Sequence, residues 1–589
     1  MISNRVTFLS FFIAISCISC SLIPVDTEQI SSPSPDPRNI RSGHIIPDQG
    51  YCDQPYVVIT KDGNWLCTLT TGRGDEGQPG QHVVATISED KGRTWSELID
   101  IEPETGPEAS WVVPLVVPSG RVYAFYDYNG DRITGRRADM LGWYVFKYSD
   151  DNGRTWSEKR YRLPVRKTAC DMDNGLEGDV QIFWGIDKPM IHDGVVYFAF
   201  TKLGKYMLDL GEGWLFRSDN IITEKNAEKI RWEMLPEGEH GLRAPEFGSI
   251  QEEHNLVALS DGTLFCMYRT TTGHPCHCYS TDRGRTWTKP EYATYTPGGR
   301  QFKHNRACPA VWKLRNEKFL FWFNHHGGKT FEKRNPVWIS GGIEKRGKIH
   351  WSQPEILLYD PDESVRISYP DLIEDNGRYW ITETQKSVAR VHEIDPNLLD
   401  GLWSQGIRKT VARKGLVLSL NVRDIKKLNN KMLRLPNLSE GGRVSLDFWI
   451  RLDEISPGQV ILDSRDENEK GILVQTAENE AVRTDLSDGT NHFTWDSDPG
   501  SLKPNSWHHV AVIVDGGPKI LTYVIDGIVG DGGESRERGW GRFTDSLSDI
   551  NGSQTLTLAP ALKGQLHCLR IYSRYLRTSE AISNYHAGF

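Results

Sequence analysis

Side chains that could act as acids, bases or anion binders cluster in the second third of the sequence. Two histidine sites, arginines and a tyrosine occur there: His304, Arg306, His325, His326, Arg334 and Tyr369. A histidine pair with a tyrosine and arginines could supply the base, the acid and the carboxylate-neutralising groups of a polysaccharide lyase. A single histidine more commonly lines a polar loop, so this set alone does not define a reaction.

The segment His274–Cys278 (HPCHC) is the closest approach to a metal site in this sequence. Zinc sites of this type need a second ligand pair at short spacing, and none follows here. We therefore interpret these residues as part of a strand beside a turn. The sequence predicts no metal site and no cofactor.

The composition indicates a multidomain protein rich in strands. The chain has 589 residues, of which 38% are hydrophobic and 25% charged, and its net charge is −9. These values exclude a largely disordered chain, a coiled coil and a multi-span membrane protein. The mild acidity gives no reason to expect nucleic-acid binding. The 19 tryptophans suit strand surfaces and sugar-stacking clefts, which favours a carbohydrate-handling protein.

Residues 1–22 are typical of a secretory signal. The apolar run Val6–Ile18 follows a positive residue and is too short for a membrane-spanning helix. Cys17 and Cys20 each follow small residues, which resembles the cleavage site of a bacterial lipoprotein, where the cysteine carries a lipid anchor. An ordinary cleaved signal is the alternative. We therefore expect a secreted, cell-surface or periplasmic protein.

An eight-residue motif recurs along the chain. Ser88–Trp95, Ser149–Trp156 and Ser280–Trp287 share the pattern S-x-D-x-G-R-T-W. Weaker echoes follow Ser218 and Ser340, so the serines recur about every 60 to 70 residues. The pattern predicts a hairpin turn in which Asp accepts hydrogen bonds from loop amides, Gly adopts a positive φ and Trp packs into the sheet. These turns are expected to be structural.

Two-residue turn signals mark six further hairpins. Each follows an apolar strand: Asp62-Gly63, Ser119-Gly120, Asp193-Gly194, Asp261-Gly262, Arg315-Asn316 and Asn376-Gly377. One four-stranded unit per repeat, arranged radially, makes a β-propeller. The sequence therefore predicts a six-bladed β-propeller over residues 45–405, preceded by a linker over 23–44 that includes a flexible tether at Ser31–Arg41.

The segment from residue 413 to residue 589 has a different pattern. Alternating strands such as Val444–Ile450, Trp507–Val514 and Leu566–Tyr572 resemble those of the laminin-G-like, concanavalin-type jelly-roll sandwich. The resemblance implies a fold but no single function, because such sandwiches bind sugar, bind protein or only pack. The predicted fold class is thus all-β, with a six-bladed propeller followed by a jelly-roll β-sandwich.

The repeats, with their period and number, resemble the sialidase (neuraminidase) superfamily of Asp-box propellers over roughly residues 45–400. Family members cleave terminal sialic acid with retention of configuration. They use a tyrosine nucleophile, a glutamate that assists it, an aspartate acid/base and three arginines that bind the sugar carboxylate. A neutral nucleophile suits this sugar, because a carboxylate nucleophile would approach the anomeric centre against like charge.

Part of the family's site has matches in this sequence. The stretch EHNLVALSDGTLFCMYR resembles a family strand pair, which implies that Glu253 assists the nucleophile and that Arg269 binds the carboxylate. The stretch SYPDLIEDNG resembles the nucleophile motif and implies that Tyr369 attacks the sugar. The stretch RNPVWIS resembles a strand that carries another carboxylate-binding arginine, here Arg334.

The first repeat departs from the family pattern. Asp53 stands in YCDQP where the family has an arginine, so it would place a negative charge towards a sugar acid. The missing arginine–carboxylate hydrogen bond is worth about 1.5–3 kcal/mol. The loop TGRGDEGQPG resembles the family loop that bears an arginine and the acid/base. It implies Arg73 as a substrate-binding residue and either Asp75 or Glu76 as the acid.

Three functions are compatible with these residues. The first is a secreted, exo-acting glycoside hydrolase that removes a terminal acidic sugar, sialic acid or a relative, by a retaining Tyr/Glu mechanism. The second is a hydrolase or lyase acting on a uronic or sulfated polysaccharide, which Asp53 and the histidines favour. The third is a glycan-binding protein without catalysis. In each case the expected partner is a glycan or polysaccharide.

Overall fold

The computed structural model describes residues 36–134, 137–172, 174, 178–205, 209–421, 434–553 and 555–589. The predicted signal, with Cys17 and Cys20, and the first part of the predicted linker lie outside the described residues. All described residues belong to one compact unit, residues 34–589. None of the helices in this part of the chain has the length and apolar character needed to cross a membrane.

Strands dominate the first two thirds of the chain. Two short helices, α1 (Ala169–Met172) and α2 (Pro396–Trp403), accompany them. In chain order the strands are β1 (His44–Ile46), β2 (Tyr51–Ile59), β3 (Trp65–Gly72), β4 (His82–Ser88), β5 (Ile99–Asp100), β6 (Ala109–Val116), β7 (Val122–Tyr128), β8 (Trp143–Ser149), β9 (Tyr161–Arg162), β10 (Ile182–Trp184), β11 (Met190–His192), β12 (Val195–Lys205), β13 (Asp209–Ser218), β14 (Glu233–Leu235), β15 (Gln251–Ala258), β16 (Leu264–Thr270), β17 (Cys276–Ser280), β18 (Glu291–Tyr292), β19 (Ala310–Lys313), β20 (Phe319–Phe323), β21 (Val337–Lys345), β22 (Lys348–Trp351), β23 (Glu355–Leu358), β24 (Leu372–Asp375), β25 (Arg378–Thr384) and β26 (Ala389–Ile394).

Within the described chain these strands form six antiparallel sheets. Sheet 1 consists of β2–β5, sheet 2 of β6–β9, sheet 3 of β10–β14, sheet 4 of β15–β18, sheet 5 of β19–β23 and sheet 6 of β24–β26. The remaining strand, β1, pairs with β26, and His44 lies opposite Val391. β1 therefore completes sheet 6 as its fourth strand.

Hydrogen bonds join sheet 1 to the chain beside sheet 6 and to the chain beside sheet 3. The amide of Val57 in β2 donates to the Asp371 carboxylate, which precedes β24, at 2.7 Å. The hydroxyl of Tyr56 donates to the carbonyl of Ile186, which follows β10, at 2.9 Å. These bonds bring the first strand of sheet 1 close to the chain before β24 and to the chain after β10.

The repeated motif forms the predicted turns. Ser88 Oγ donates to Asp90 Oδ1 at 2.9 Å, and the Gly92 amide donates to Ser88 Oγ at 2.7 Å. The Thr94 amide donates to Asp90 Oδ1 at 2.8 Å, and Gly92 has a φ of +81°. The copies at Ser149–Trp156 and Ser280–Trp287 repeat these bonds. The motif thus ties each turn together with its own side chains.

The glycine of the second turn also packs against the neighbouring sheet, which leads to a stability prediction. Gly153 has a φ of +88°, and a Cβ there would lie 2.5 Å from Leu66 Cδ1 of sheet 1. We expect Gly153→Ala to lower the free energy of unfolding by about 2–4 kcal/mol, because left-handed strain and overpacking add. Gly63→Ala is the matched control, since its φ is +85° but nothing lies within 4 Å of the added Cβ. Its cost should be about 1 kcal/mol in urea unfolding, and equal costs would contradict the packing argument.

The described residues of the C-terminal part contain the other strands and the helix α3 (Thr578–Ala587). The strands are β27 (Leu416–Asn421), β28 (Arg443–Leu452), β29 (Val460–Asp463), β30 (Gly471–Ala477), β31 (Ala481–Ser487), β32 (His492–Asp496), β33 (Trp507–Asp515), β34 (Ile520–Ile525), β35 (Ile528–Val529), β36 (Gly541–Arg542), β37 (Thr557–Leu558) and β38 (Gly564–Tyr572).

These strands form two antiparallel sheets that enclose one apolar core. One sheet has the order β27-β38-β28-β33-β34-β35, with β36 beside β34, and the other has the order β32-β31-β30-β29-β37. Phe448 and Val512 from the first sheet share the core with Ile472 and Leu486 from the second. This is a two-sheet sandwich, and with the six sheets before it the predicted all-β class is confirmed.

The sandwich is firmly attached to the rest of the described chain. The buried carboxylate of Glu355 in β23 accepts hydrogen bonds from the amides of Thr578 and Ser579 in α3 at 3.0 and 2.9 Å. Ile520 and Trp540 of the sandwich belong to the apolar core of sheets 4 and 5. The two parts therefore share buried surface.

The segment before β1 is part of this attachment. Arg38 is buried, and its guanidinium pairs with Asp36 and with Asp515 of the sandwich, both at 2.7 Å. Burial would raise the pKa of Asp36, but Arg38 and Arg443 outweigh it and lower that pKa to about 2. The sequence predicted a flexible tether over Ser31–Arg41, but from Asp36 onwards the chain is held by ion pairs.

Candidate active site

Strained backbone marks the ends of several first strands. β2, β6 and β15 each contain a β-bulge, and a residue within each bulge has a positive φ: Gln54 at +50°, Trp111 at +62° and Glu253 at +55°. Tyr369, just before β24, has a φ of +46°. Such conformations cost energy and concentrate at functional sites, because the surrounding structure must hold them in place. Two of these four residues are predicted site residues.

Tyr369 and Glu253 are in direct contact. The Tyr369 hydroxyl donates to Glu253 Oε1 at 2.9 Å, and both side chains are buried. The other carboxylate oxygen, Oε2, lies 2.7 Å from Nη1 of Arg269. Burial raises the pKa of Glu253, although Arg269 opposes the rise. Burial and the Glu253 charge together raise the pKa of Tyr369 well above its usual value. The tyrosine is therefore protonated and hydrogen-bonded to a carboxylate that can accept its proton.

Arg269 belongs to a cluster of charged side chains beside this pair. Glu252 pairs with Arg269 Nη2 at 2.7 Å and with Arg306 Nη2 at 2.8 Å. The ring of Phe331 covers the cluster, with its centroid 4.2 Å from the guanidinium carbon of Arg306 and 5.8 Å from that of Arg269. Phe331 is 38% exposed, so one side of its ring is open to solvent.

Arg334 differs from these arginines because all its bonds go to neutral acceptors. It donates to Ser368 Oγ at 2.9 Å and to the carbonyls of Phe331 and Arg306 at 2.8 and 3.1 Å. Among the described residues no carboxylate forms an ion pair with it. Burial lowers its pKa, as does Arg366 nearby. A buried guanidinium without an anionic partner favours a negatively charged ligand.

Lys386 supplies a further positive charge beside Asp53 and Tyr369. Its ammonium pairs with Asp53, lies 3.4 Å from Glu76 Oε2 and stands 4.3 Å from the centre of the Tyr369 ring. Burial raises the pKa of Asp53, while Lys386 opposes the rise. Tyr51 also donates to Asp53 at 3.0 Å. The negative charge of Asp53 is thus balanced by Lys386. Asp53 therefore does not leave an uncompensated negative charge in the site.

The loop after β3 contributes one of its three predicted residues to this network. Glu76 pairs with Lys386 and, at 3.1 Å, with Arg137. Burial would raise the pKa of Glu76, but Lys386 and Arg137 outweigh it and lower that pKa to about 2. Arg73 and Asp75 are exposed on the same loop. Glu76 is therefore the predicted acid that the structure brings to the site, and it is ionised at neutral pH.

Comparisons with known proteins give a family for the C-terminal part alone. Residues 429–582 match the family model described as the concanavalin A-like lectin/glucanases superfamily. This region is therefore similar to concanavalin-like domains. No curated protein sequence matches the chain significantly.

Solved structures resemble the chain only at low identity. A Dyadobacter fermentans protein of unknown function is 15% identical, with a TM-score of 0.46, and the match covers 60% of this chain and 98% of that one. Trypanosoma rangeli sialidase is 13% identical, with a TM-score of 0.41, over 92% of this chain and 94% of that one. A Hadza microbial sialidase is 17% identical, with a TM-score of 0.44, over 59% and 66%. At these values no residue correspondence follows.

The histidines of the lyase hypothesis are engaged elsewhere. His304 Nε2 contacts the carbonyl of Ala307 at 2.8 Å, and burial lowers the pKa of His304 to about 3. His325 and His326 contact the sandwich, and burial lowers the pKa of each to about 4. His325 and His326 thus contribute to packing between the two parts of the chain, whereas His304 is bonded within the first part. Among the described residues no group of His, Cys, Asp and Glu could hold a metal ion.

Sequence reasoning missed Lys386 and the roles of Glu252 and Phe331. Lys386 follows β25 and has no motif around it, and its partner Asp53 is more than three hundred residues away in sequence. Glu252 could have been noticed, because it precedes Glu253 in an acidic doublet beside the matched motif. Phe331 precedes the matched stretch RNPVWIS and gave no signal of its own.

Removal of the Lys386 charge should destabilise the protein in a pH-dependent way. We expect Lys386→Met to lower the free energy of unfolding at pH 7 by about 2–4 kcal/mol, because Asp53 is left buried without its cation. An unpaired buried Asp53 has a folded-state pKa above its unfolded value, so its destabilising effect grows as pH rises. Urea unfolding should therefore give a smaller deficit at pH 4 than at pH 7. Lys386→Arg is the charge-conserving control, and a deficit independent of pH would contradict the ion-pair assignment.

Proposed function

We propose that this protein is an exo-acting glycoside hydrolase that removes a terminal acidic sugar from glycans by a retaining mechanism. The observation that carries the proposal is the 2.9 Å hydrogen bond from the Tyr369 hydroxyl to Glu253, beside a buried Arg334 without an anionic partner. We also propose that the six sheets are the blades of a β-propeller and that residues 1–22 direct secretion, with or without a lipid anchor at Cys17 or Cys20.

The first half-reaction uses the Tyr369–Glu253 pair. Tyr369 Oη attacks the anomeric carbon while Glu253 accepts its proton, and the glycosidic C–O bond breaks. Arg334 and Arg269 hold the sugar carboxylate, and the negative charge of that carboxylate disfavours a second carboxylate as nucleophile. The leaving oxygen takes a proton from Asp53 in the Lys386 network, whose pKa burial raises, whereas Glu76 is held ionised by Lys386 and Arg137 and has no proton to donate at neutral pH. In the second half-reaction the Asp53 carboxylate accepts a proton from water as the water displaces Tyr369, and Glu253 returns the phenolic proton.

The acid can be identified by its dependence on the leaving group. An activated aryl glycoside needs little proton donation, whereas a natural glycosidic bond needs much. Asp53→Asn and Glu76→Gln should therefore differ in their activities on the two substrates. The variant that lacks the true acid keeps activity on the aryl glycoside and loses activity on the natural linkage. Equal losses on both substrates would assign that residue to binding. The exposed Asp75→Asn serves as the matched control on the same loop.

A substrate panel tests the function itself. A fluorogenic sialoside, aryl glycosides of other terminal acidic sugars and intact acidic polysaccharides are incubated with the protein and with Glu253→Gln. Release of a reducing acidic sugar by the wild type alone supports the proposal. A product with a new alkene, seen by ultraviolet absorbance, would mean elimination. Glycan binding without turnover of any substrate would mean a binding protein.

A further inference from the structure

A loop of the sandwich lies against the segment that carries Arg334. The loop consists of residues 530–542, which follow β35 and end in β36, and is called here the bridging loop. The segment consists of residues 325–335, between β20 and β21, and is called here the arginine segment. The two belong to different sheets and are about two hundred residues apart in sequence, so their contact depends on the sandwich being in place.

The bridging loop binds the start of the arginine segment through three hydrogen bonds. Trp540 Nε1 donates to the carbonyl of His325 at 3.0 Å, and His325 Nε2 contacts the carbonyl of Gly530 at 3.1 Å. The amide of Gly327 donates to the carbonyl of Glu537 at 2.7 Å. Trp540 is almost fully buried, so its hydrogen bond is shielded from water.

A second residue of the loop binds the end of the arginine segment. Arg542 Nη1 donates to the carbonyl of Asn335, next to Arg334, at 3.1 Å. Its Nη2 donates to the carbonyls of Asp360 and Pro361 at 2.9 and 3.1 Å. One guanidinium thus joins the chain beside Arg334 to the chain that leads towards Tyr369.

Between these two attachments the arginine segment is also bonded to the first part of the chain, and Arg334 itself donates to Ser368 Oγ and to the carbonyl of Arg306. The carbonyl of Thr330 accepts from the Arg306 amide at 3.2 Å, and the carbonyl of Glu332 accepts from Asn305 Nδ2 at 2.6 Å. The segment carries Phe331, which covers the charge cluster, and Arg334. Because both of its ends are bonded to the sandwich, the sandwich constrains the backbone that carries these two side chains, together with the bonds of Arg334 to Ser368 and Arg306.

We propose that the sandwich is a working part of the candidate active site, in which Trp540 and Arg542 are positioning residues for Arg334 and Phe331. They act by holding the arginine segment and do not touch the substrate. The kinetic part of this proposal rests on the proposed function, whereas the positional part does not. It assigns the sandwich a role other than the independent capture of sugar.

The test uses the full chain with two substitutions. Arg542→Met removes one hydrogen bond at the end of the arginine segment and two to Asp360 and Pro361. Trp540→Phe removes one hydrogen bond at the start of the segment while keeping an aromatic ring. We expect each to raise KM for the acidic glycoside about tenfold and to leave kcat within about twofold, because binding geometry is lost and the Tyr369–Glu253 pair is kept. Arg542→Lys should restore part of the loss. Hydrogen exchange over residues 325–335 should increase in both variants.

Trp507→Phe is the matched control for the aromatic change. Trp507 lies in β33 of the sandwich and packs on His567 and Phe589, away from the bridging loop. It should leave both KM and the exchange of residues 325–335 unchanged. Thermal unfolding of all variants shows whether a loss of activity follows a loss of folded protein.

Two results would overturn the proposal. One is unchanged hydrogen exchange over residues 325–335 in Arg542→Met and Trp540→Phe. The other is a fall in kcat alone that follows the folded fraction, which would assign these residues to stability. If the wild type cleaves no acidic glycoside, the proposed function fails, while hydrogen exchange still decides whether the sandwich positions the arginine segment.

Discussion

Tyr369→Phe should lower kcat/KM on the natural glycoside by about a thousandfold or more, because the variant has no oxygen to attack the anomeric carbon. The rest of the side chain is kept, including the edge-to-face contact with Trp111 at 6.0 Å. The fold should survive, since a lost hydrogen bond costs about 1–2 kcal/mol. Steady-state kinetics on the substrate found in the panel measure the effect.

Trapping of the intermediate gives Tyr369 a second, independent test. A fluorinated substrate analogue that forms the glycosyl–enzyme rapidly and hydrolyses slowly should add one sugar mass to the peptide that contains Tyr369. The same analogue should add no mass to Tyr369→Phe. Full activity of Tyr369→Phe, or a sugar adduct on a carboxylate instead, would reject tyrosine as the nucleophile.

Glu253→Gln is expected to reduce kcat by about a hundredfold to ten-thousandfold, the range for loss of a positioned base. The amide keeps the size of the side chain but cannot accept the phenolic proton. The pH profile should change as well. Burial raises the pKa of Glu253, so the ionised base forms only as pH rises through that raised pKa. The acid limb of the wild-type pH profile should therefore lie at a higher pH than the usual glutamate pKa of 4.5. In Glu253→Gln this acid limb should disappear.

The neighbouring carboxylate provides the control for Glu253. Glu252 contacts Arg269 and Arg306 but has no bond to Tyr369. Glu252→Gln should therefore alter KM through the arginines and keep the acid limb of the pH profile. If the two variants have the same pH profile, the acid limb belongs to another group and Glu253 is not the base.

The parts of the fold that depend on local sequence were predictable. The S-x-D-x-G-R-T-W turns are held by bonds within eight residues, so Asp90 and Gly92 could be assigned without knowledge of the fold. The alternation in β28 and β33 predicted a sandwich for the same reason. The ordered segment at Arg38 was not predictable, because its partner Asp515 is distant in sequence.

The same distinction applies to the candidate site. Glu253 and Arg269 lie on adjacent strands of one hairpin, so a short motif predicted both and their proximity. Asp53 was read as an uncompensated charge because its cation, Lys386, comes from sheet 6. The hydrogen bond from Arg542 to the chain beside Arg334 could not be predicted from the sequence for the same reason. Residues that meet across sheets leave no spacing pattern in the sequence, since the packing of one sheet against another sets their distance.

The pairing of β1 with β26 has a consequence for biosynthesis. β1 leaves the ribosome before every other strand of the six sheets. Its partner β26 (Ala389–Ile394) follows only after all strands of sheets 1–5 have been translated. During that interval β1 is an unpaired strand edge, which can pair with other chains. Tyr369 belongs to the same late sheet, whereas Glu253 belongs to an earlier one. The nascent chain therefore has no assembled nucleophile–base pair until sheet 6 has been translated, and an incomplete chain should be both inactive and prone to aggregate.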